Sequence, residues 1–385
     1  MATAHNMHEL LKIFTKELCT AVYSMNHSIG GSVTGICAGK STVAQYLVER
    51  HGFTRLSIRP DAEADQSISS TTSSTTPTPT TFGTADALLD FVTLRWRDRY
   101  VTTDIASEAV LDIFSRRPFF LLISVDAPVA VRWRRAQRRA QLLGTRNGDV
   151  DGIIDLETFV TESDLQLYGG GPQQRAPLLP VMARAAMRLA NGGLEEKSLS
   201  TQPLFAALDQ AGLDVQGIEQ LLRPSWDRYF MSLASLAAQR SNCMKRRVGC
   251  VLVREHRVVS TGYNGTPRGL RNCGEGGCGR CNGGVGAGVG LATCLCLHAE
   301  ENALLEAGRE RIPTASLANT ILYCDTCPCL TCSIKIVQVG IGEVVYSQGY
   351  SMDAETAAVF REAGVRLRQY IPPTQGLIHL DRMTQ

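Results

Sequence analysis

The sequence predicts an α/β protein of two parts, and three observations carry that expectation. Over residues 320–368, β-like runs alternate with helical ones behind a hairpin, which gives the C-terminal half a three-layer α/β/α domain with a mixed sheet. Near the N-terminus, Gly35-Ile-Cys-Ala-Gly39-Lys40-Ser41-Thr42 stands before a helical run, and residues 118–125 are apolar enough for a buried parallel strand. Those two features give an N-terminal α/β domain opening on a phosphate-loop pattern. The third observation is size: 385 residues, 44% of them hydrophobic, suffice for two cores.

Taken in order, residues 1–19 mix Glu9, Lys12, Lys16 and Glu17 into apolar positions, which does not describe a signal or transit peptide. The loop pattern G-x-x-x-x-G-K-[ST] requires glycine at 34, where the chain has Thr34, with Gly35 beside it. Residues 25–33 make a poor strand, although such a loop hangs from one. Gly35, Gly39, Lys40 and Ser41 are the candidate nucleotide contacts. Residues 66–81 form a Ser/Thr/Pro tract with too little apolar surface to order itself. A helix is expected over 85–100 and a buried strand over 118–125. Arg132, Arg134, Arg135, Arg138 and Arg139 follow, either approaching phosphates or forming a solvated helix face. Further helices are expected at 157–164 and 177–191, a linker at 191–202, and one connecting helix at 203–222. These bounds divide the chain into domains at 1–202 and 223–385.

The second half opens on a helix reaching about residue 239, with Trp226, Phe230, Leu233 and Ala237 at core spacing. Strands at 248–253 and 258–263 flank the turn Arg254-Glu255-His256-Arg257 as a hairpin. The following loop is too rich in glycine and proline to be helical. It offers backbone N–H groups, Asn264 and Arg268, with Gly265 and Gly269, to a small anion, or it is a plain turn.

The chemistry concentrates between His298-Ala-Glu300 and Pro328-Cys329-Leu-Thr-Cys332. One imidazole and two thiolates make three ligands for a tetrahedral zinc whose fourth position stays open to water. His298 and Cys329 each stand at the start of a helical run, where the partial positive charge of the helix N-terminus favours thiolates. Glu300 is too close to His298 to be an easy second ligand and is placed to ferry protons. Eleven of the thirteen cysteines lie between Cys243 and Cys332, which reads as metal binding in a reducing compartment, the cytoplasm or the nucleus.

The order H-x-E…P-C-x-x-C is the signature of zinc-dependent nucleobase deaminases. With Ser241-Asn-Cys243, Val248-Gly-Cys-Val251 and residues 262–269 beside it, the half from Arg223 to Tyr370 resembles deoxycytidylate (dCMP) deaminases. The N-terminal half is similar to the P-loop kinase-like extension of fungal members, departing from it in the disturbed loop and the Ser/Thr insertion. The resemblance implies a cytidine-deaminase-like fold, zinc on His298, Cys329 and Cys332, and Glu300 as proton donor. It implies substrate along Tyr323, Cys324, Asp325, Thr326, Cys327, Pro328, Leu330 and Thr331, with Tyr350 near the nucleotide. It also implies a homo-oligomer, a hexamer in the family, activated by dCTP and inhibited by dTTP through an effector site including Asn264, Gly265, Arg268 and Gly269. A second, structural zinc is implied on Cys243, Cys273, Cys296 and either Cys278 or Cys281, with Cys294 outside the set.

The zinc motif alone does not choose among dCMP, free cytosine or its nucleosides, and tRNA adenosine. From Arg223 onward there are 18 Lys+Arg against 13 Asp+Glu, too small an excess for a polynucleotide track. A nucleoside monophosphate is therefore expected as substrate, with neither nucleic acid nor membrane as partner. A non-catalytic zinc scaffold would have no use for Glu300. A bifunctional kinase–deaminase is limited by the disturbed loop.

Overall fold

The computed structural model describes residues 19–23, 37–59, 80–147, 155–171, 174–192, 201–284, 286, 289–308, 320–349, 353–372 and 376–383. The chain forms two units, one running to Arg223 and taking in the end of the chain from Thr374, the other running from Pro224 to Pro373.

The first unit contains β1 (Cys19–Tyr23), α1 (Lys40–His51), β2 (Thr54–Ile58), β3 (Thr81–Phe82), α2 (Ala85–Leu94), β4 (Tyr100–Thr102), α3 (Glu108–Ser115) and β5 (Phe120–Asp126). It continues through α4 (Val129–Asn147), α5 (Leu156–Tyr168), α6 (Leu179–Ala183), β6 (Met187–Ala190), α7 (Gln202–Gln210) and α8 (Val215–Leu222). With a last strand at Leu377–His379, the described strands form a parallel sheet centred on β1. Residues 121–125 of β5 are buried without interruption, as a parallel strand covered on both faces requires. Leu121, Ile123 and Val125 face a core built with α1, α7 and α8, while Leu122 faces one built with α2, α3 and α6.

The second unit contains α9 (Trp226–Ala238), β7 (Gly249–Arg254), β8 (Arg257–Tyr263), α10 (Gly279–Asn282), α11 (Ala299–Ala307), β9 (Thr320–Thr326), α12 (Leu330–Val339), β10 (Glu343–Gln348), α13 (Asp353–Glu362) and β11 (Arg366–Gln369). Its sheet runs β11-β10-β9-β7-β8, antiparallel about β7 and parallel from β9 to β11. The expected mixed α/β architecture is present. On one face Phe230, Met231 and Ala234 of α9 pack on Val251, Val253, Tyr323 and Val345. On the other, Ala299, Ala303, Cys332 and Ile336 of α11 and α12 pack on Cys250, Leu252, Leu322 and Cys324. Gly262 is what lets α11 lie close: a Cβ there would sit 2.1 Å from the Ala299 carbonyl oxygen. The hairpin turn places Glu255 and His256 both at positive φ, 49° and 58°, the pairing of a two-residue turn whose twist matches its strands.

Several expectations are corrected. The helix expected over 85–100 stops at Leu94, and Tyr100 to Thr102 form a fully buried strand between β1 and β2. The helix expected over 177–191 is the short α6 followed by β6, which pairs with β5. The connecting helix of 203–222 breaks at Gly212 (φ 70°) and restarts where the Asp214 side chain accepts from Gly217 N–H. Both halves of that segment pack into the first unit through Leu204, Phe205, Leu208 and Ile218. The end of the chain, expected in the C-terminal domain, instead gives the first sheet an edge strand. Trp226, expected in the core, is 50% exposed and stacks on His256, with ring centroids 4.5 Å apart. The register of α9 buries Phe230, Met231, Ala234 and Ala238 instead. The Ser/Thr tract lies outside the described residues except for its last two, of which Thr81 pairs with Ser57.

Candidate active site

His298 and Cys329 occupy the N-cap positions of α11 and α12, both with extended backbone, so each side chain projects from a helix start. Cys332 lies one turn along α12. The Cys329 and Cys332 sulfurs are 3.3 and 3.4 Å from His298 Nδ1, and the three atoms all lie within 4.8 Å of one another. A tetrahedral zinc with ordinary Zn–S and Zn–N lengths sets an S···N edge of roughly 3.5 Å, so this donor set fits the ion in chemistry and spacing. Hydrogen bonds from Cys332, His298 and Thr331 draw the Cys329 thiol down to about 3 despite its burial. The same pairing pushes Cys332 up as the donor and raises His298.

Glu300 lies in the first turn of α11 and is only 4% exposed. Burial pushes its carboxyl up to about 7, so near neutral pH it can both give and take a proton. Glu300, His298 and Cys329 open into a cleft of about 530 Å3, ample for a small ligand. Arg246, Val248, Asn264 and Ala292 line it together with Thr326, Cys327, Leu330 and Thr331.

The segment expected to touch substrate divides by strand alternation. Thr326, Cys327, Leu330 and Thr331 reach the cleft. Tyr323 turns to the opposite face of the sheet, packs on Phe230 and donates to Asp227 at 2.9 Å. Cys324 is fully buried with its sulfur 3.2 Å from that of Cys250. Asp325 accepts from Gly249 N–H, and the Pro328 carbonyl accepts from Thr356. Tyr350 lies outside the described residues.

The expected effector residues separate. Asn264 is buried, accepts from Ser241 Oγ and Val248 N–H, and donates to the Arg246 carbonyl, so its amide is engaged in holding the cleft wall. Gly265 exchanges backbone hydrogen bonds with Leu297, next to His298. The Arg268 side chain is 98% exposed, 3.6 Å from Glu306, and Gly269 takes a left-handed φ of 85°. Arg246 was not singled out from sequence; its signal is the basic run Lys245-Arg246-Arg247 just past Cys243.

Cys243, Cys273, Cys281 and Cys296 lie within 4.8 Å of one another, which selects Cys281 over Cys278 for that set. Cys294, expected outside, joins Cys278, Cys281 and Cys296 in a second set of the same tightness.

In the first unit, Gly39 caps α1 with φ 103°, and burial lowers Lys40 to about 7. Gly35 lies outside the described residues, and Ser41 is exposed. Arg135 donates to the Cys37 and Ala38 carbonyls and to Asn191, so it holds the loop backbone, while Arg132 is buried against the Ala127 carbonyl and Ser163.

Residues 224–348 match the family described as the cytidine and deoxycytidylate deaminase zinc-binding region. The chain is 46% identical over 342 residues to the deoxycytidylate deaminase of Schizosaccharomyces pombe, covering 89% of this chain and 97% of that one. It is 46% identical over 285 residues to the deoxycytidylate deaminase of Saccharomyces cerevisiae, covering 74% of this chain and 85% of that one. The deoxycytidylate deaminase of Mycobacterium phage D29 matches at 43% over 129 residues, 32% of this chain but 95% of its own.

Proposed function

The chain belongs to the deoxycytidylate deaminase family, and on that footing we propose that it hydrolyses dCMP to dUMP and ammonia. The observation that carries the reading is Glu300, a buried carboxyl opening into the same cleft as His298 and Cys329, with Cys332 completing their donor set behind them. Those three residues would hold the zinc, which supplies the acidity that makes water a nucleophile near neutral pH. Glu300 accepts the proton released as oxygen bonds to C4 of cytosine and passes it to the ring nitrogen N3. The emptied carboxylate then takes the second proton from the oxygen now bound to C4 and hands it to the amino group, so ammonia leaves as the C4–N bond breaks and the C4 carbonyl forms. Thr326, Leu330 and Thr331 border the space for the base, and Arg246 offers a cation for the 5′-phosphate.

Regulation by dCTP and dTTP belongs to the same reading. It is supported by the exposed Arg268 on a glycine-rich loop whose Gly265 pairs with the residue before His298. Assembly into a homo-oligomer is supported by the exposed apolar side chains of Trp226, Tyr229 and Leu236 along α9. Zinc held at Cys243, Cys273, Cys281 and Cys296, apart from the catalytic ion, would brace the glycine-rich insertion. The test of the reaction is ammonia release from dCMP compared with deoxycytidine, CMP and tRNA. Equal or greater turnover of any of the other three would refute the assignment.

A further inference from the structure

The six cysteines Cys243, Cys273, Cys278, Cys281, Cys294 and Cys296 are grouped in a way that one metal does not explain. They form two tetrads, Cys243/Cys273/Cys281/Cys296 and Cys278/Cys281/Cys294/Cys296, and the sulfurs of each tetrad lie within 4.8 Å of one another. Cys281 and Cys296 belong to both. The Cys281 sulfur is 3.8 Å from Cys243, 3.8 Å from Cys294 and 3.9 Å from Cys296, and Cys278 is 3.9 Å from Cys294. A zinc with four sulfurs at the usual bond length has tetrahedral edges of about 3.8 Å, whereas a disulfide would need the sulfurs at roughly half that separation. One sulfur at a tetrahedral edge from members of both tetrads is what a bridging thiolate requires.

We propose that these six residues hold a binuclear zinc–thiolate cluster, each ion bound by four sulfurs and the two ions bridged by Cys281 and Cys296. Cys243 and Cys273 complete one ion's shell, and Cys278 and Cys294 complete the other's.

Three features of the surroundings support it. Cys273, Cys278, Cys281 and Cys296 are buried, yet N–H groups are directed at sulfur as acceptor: Met244 at Cys273 (3.5 Å), Leu295 at Cys278 (3.4 Å) and the Asn282 amide at Cys273 (3.8 Å). Six thiolates and two divalent ions leave two negative charges, and the Arg280 guanidinium lies 3.9 Å from the Cys294 sulfur to offset them. Finally, residues 272–296 are rich in glycine and supply few apolar side chains, so two ions in place of a core would order them. An all-sulfur tetrahedral set selects zinc or iron–sulfur chemistry, and bridging by the cysteines themselves leaves no place for inorganic sulfide.

The experiment is metal analysis of the full-length protein, purified and dialysed against a weak chelator, together with two variants. The wild type is expected to hold three zinc ions per chain and His298→Ala two, since that change removes only the ion proposed for catalysis. Cys294→Ser is expected to hold two. Zinc-edge X-ray absorption of His298→Ala should show all-sulfur shells and a Zn–Zn vector on the order of 3 Å. Two zinc ions in the wild type falling to one in His298→Ala would overturn the cluster in favour of a single structural ion, as would a missing Zn–Zn vector or the presence of iron and sulfide. If Cys294→Ser fails to fold, the wild type and His298→Ala still decide the question. An unchanged count in His298→Ala would instead count against the catalytic zinc, so the two readings fail separately.

Discussion

Arg368 on the edge strand β11 clamps Asp227 at the start of α9 with two hydrogen bonds, Nη1 to Oδ2 at 2.7 Å and Nη2 to Oδ1 at 2.9 Å. Its Nε reaches Glu343 at 3.0 Å, and the Tyr323 hydroxyl also donates to Asp227. The network joins three neighbouring strands to the helix that covers them.

The clamp predicts a pH dependence of stability. Hydrogen bonds from Arg368 hold the Asp227 carboxyl below its ordinary value, so its folded-state pKa lies beneath the unfolded one. Its contribution is therefore fully present above the unfolded value near pH 4 and is lost as pH falls through the folded value. Asp227→Asn should lower unfolding free energy by about 1–3 kcal/mol at pH 7. In denaturant melts, the difference from wild type should shrink below about pH 4; a pH-independent difference would exclude the charge as its source.

Glu300→Gln keeps the shape of the side chain but cannot carry a proton. Turnover of dCMP should fall by about 10²–10⁴-fold while zinc content and melting temperature stay near wild type. Ammonia release within a few-fold of wild type would remove Glu300 from the mechanism.

Gly262→Ala tests how α11 is seated. The added Cβ would lie 2.1 Å from the Ala299 carbonyl oxygen and 2.5 Å from Ala303 N, both backbone atoms, so the helix must move. A loss of about 1–3 kcal/mol is expected. Because Ala299 follows His298, zinc content should fall as well. A variant with unchanged denaturation midpoint would mean that the strand and helix are less tightly apposed.

Arg246→Ala separates phosphate binding from chemistry. Removing a charge-assisted hydrogen bond costs about 1.5–3 kcal/mol, so KM for dCMP should rise roughly 10- to 100-fold with a smaller change in kcat. The parent nucleoside should be nearly indifferent. An equal loss for deoxycytidine would show that Arg246 acts on the cleft wall, through the hydrogen bond its guanidinium donates to Gln348, and not on phosphate.

Arg268→Ala should leave basal turnover unchanged, because its ion pair with Glu306 is on the surface and contributes little. Activation by dCTP, measured as the shift in half-saturation for dCMP, should disappear. Retained activation would move the effector site away from this loop.

The helix starts that carry the donor set were legible from the sequence, because they depend on local order. The helical runs expected to start at His298 and Cys329 are α11 and α12, each following its ligand-type residue in extended backbone. The mixed sheet was legible for a similar reason: β9, β10 and the hairpin are apolar runs long enough to declare themselves. The short strands β1, β4 and β6 were not, since three to five residues acquire their identity only from the neighbours that pair with them.

Residue types and their spacing by themselves determined what chemistry is available: one imidazole, paired thiols, a carboxyl two residues on, and a surplus of cysteines. Which of those groups meet was decided by the tertiary structure. The close approach at Gly262 sets α11 on the sheet, and strand alternation sends Thr326 into the cleft while Tyr323 turns to the opposite face. Packing likewise seats Arg246 on the cleft wall and draws Cys294 in beside Cys281. Distances between residues far apart along the chain depend on how whole elements pack, and no local pattern encodes them.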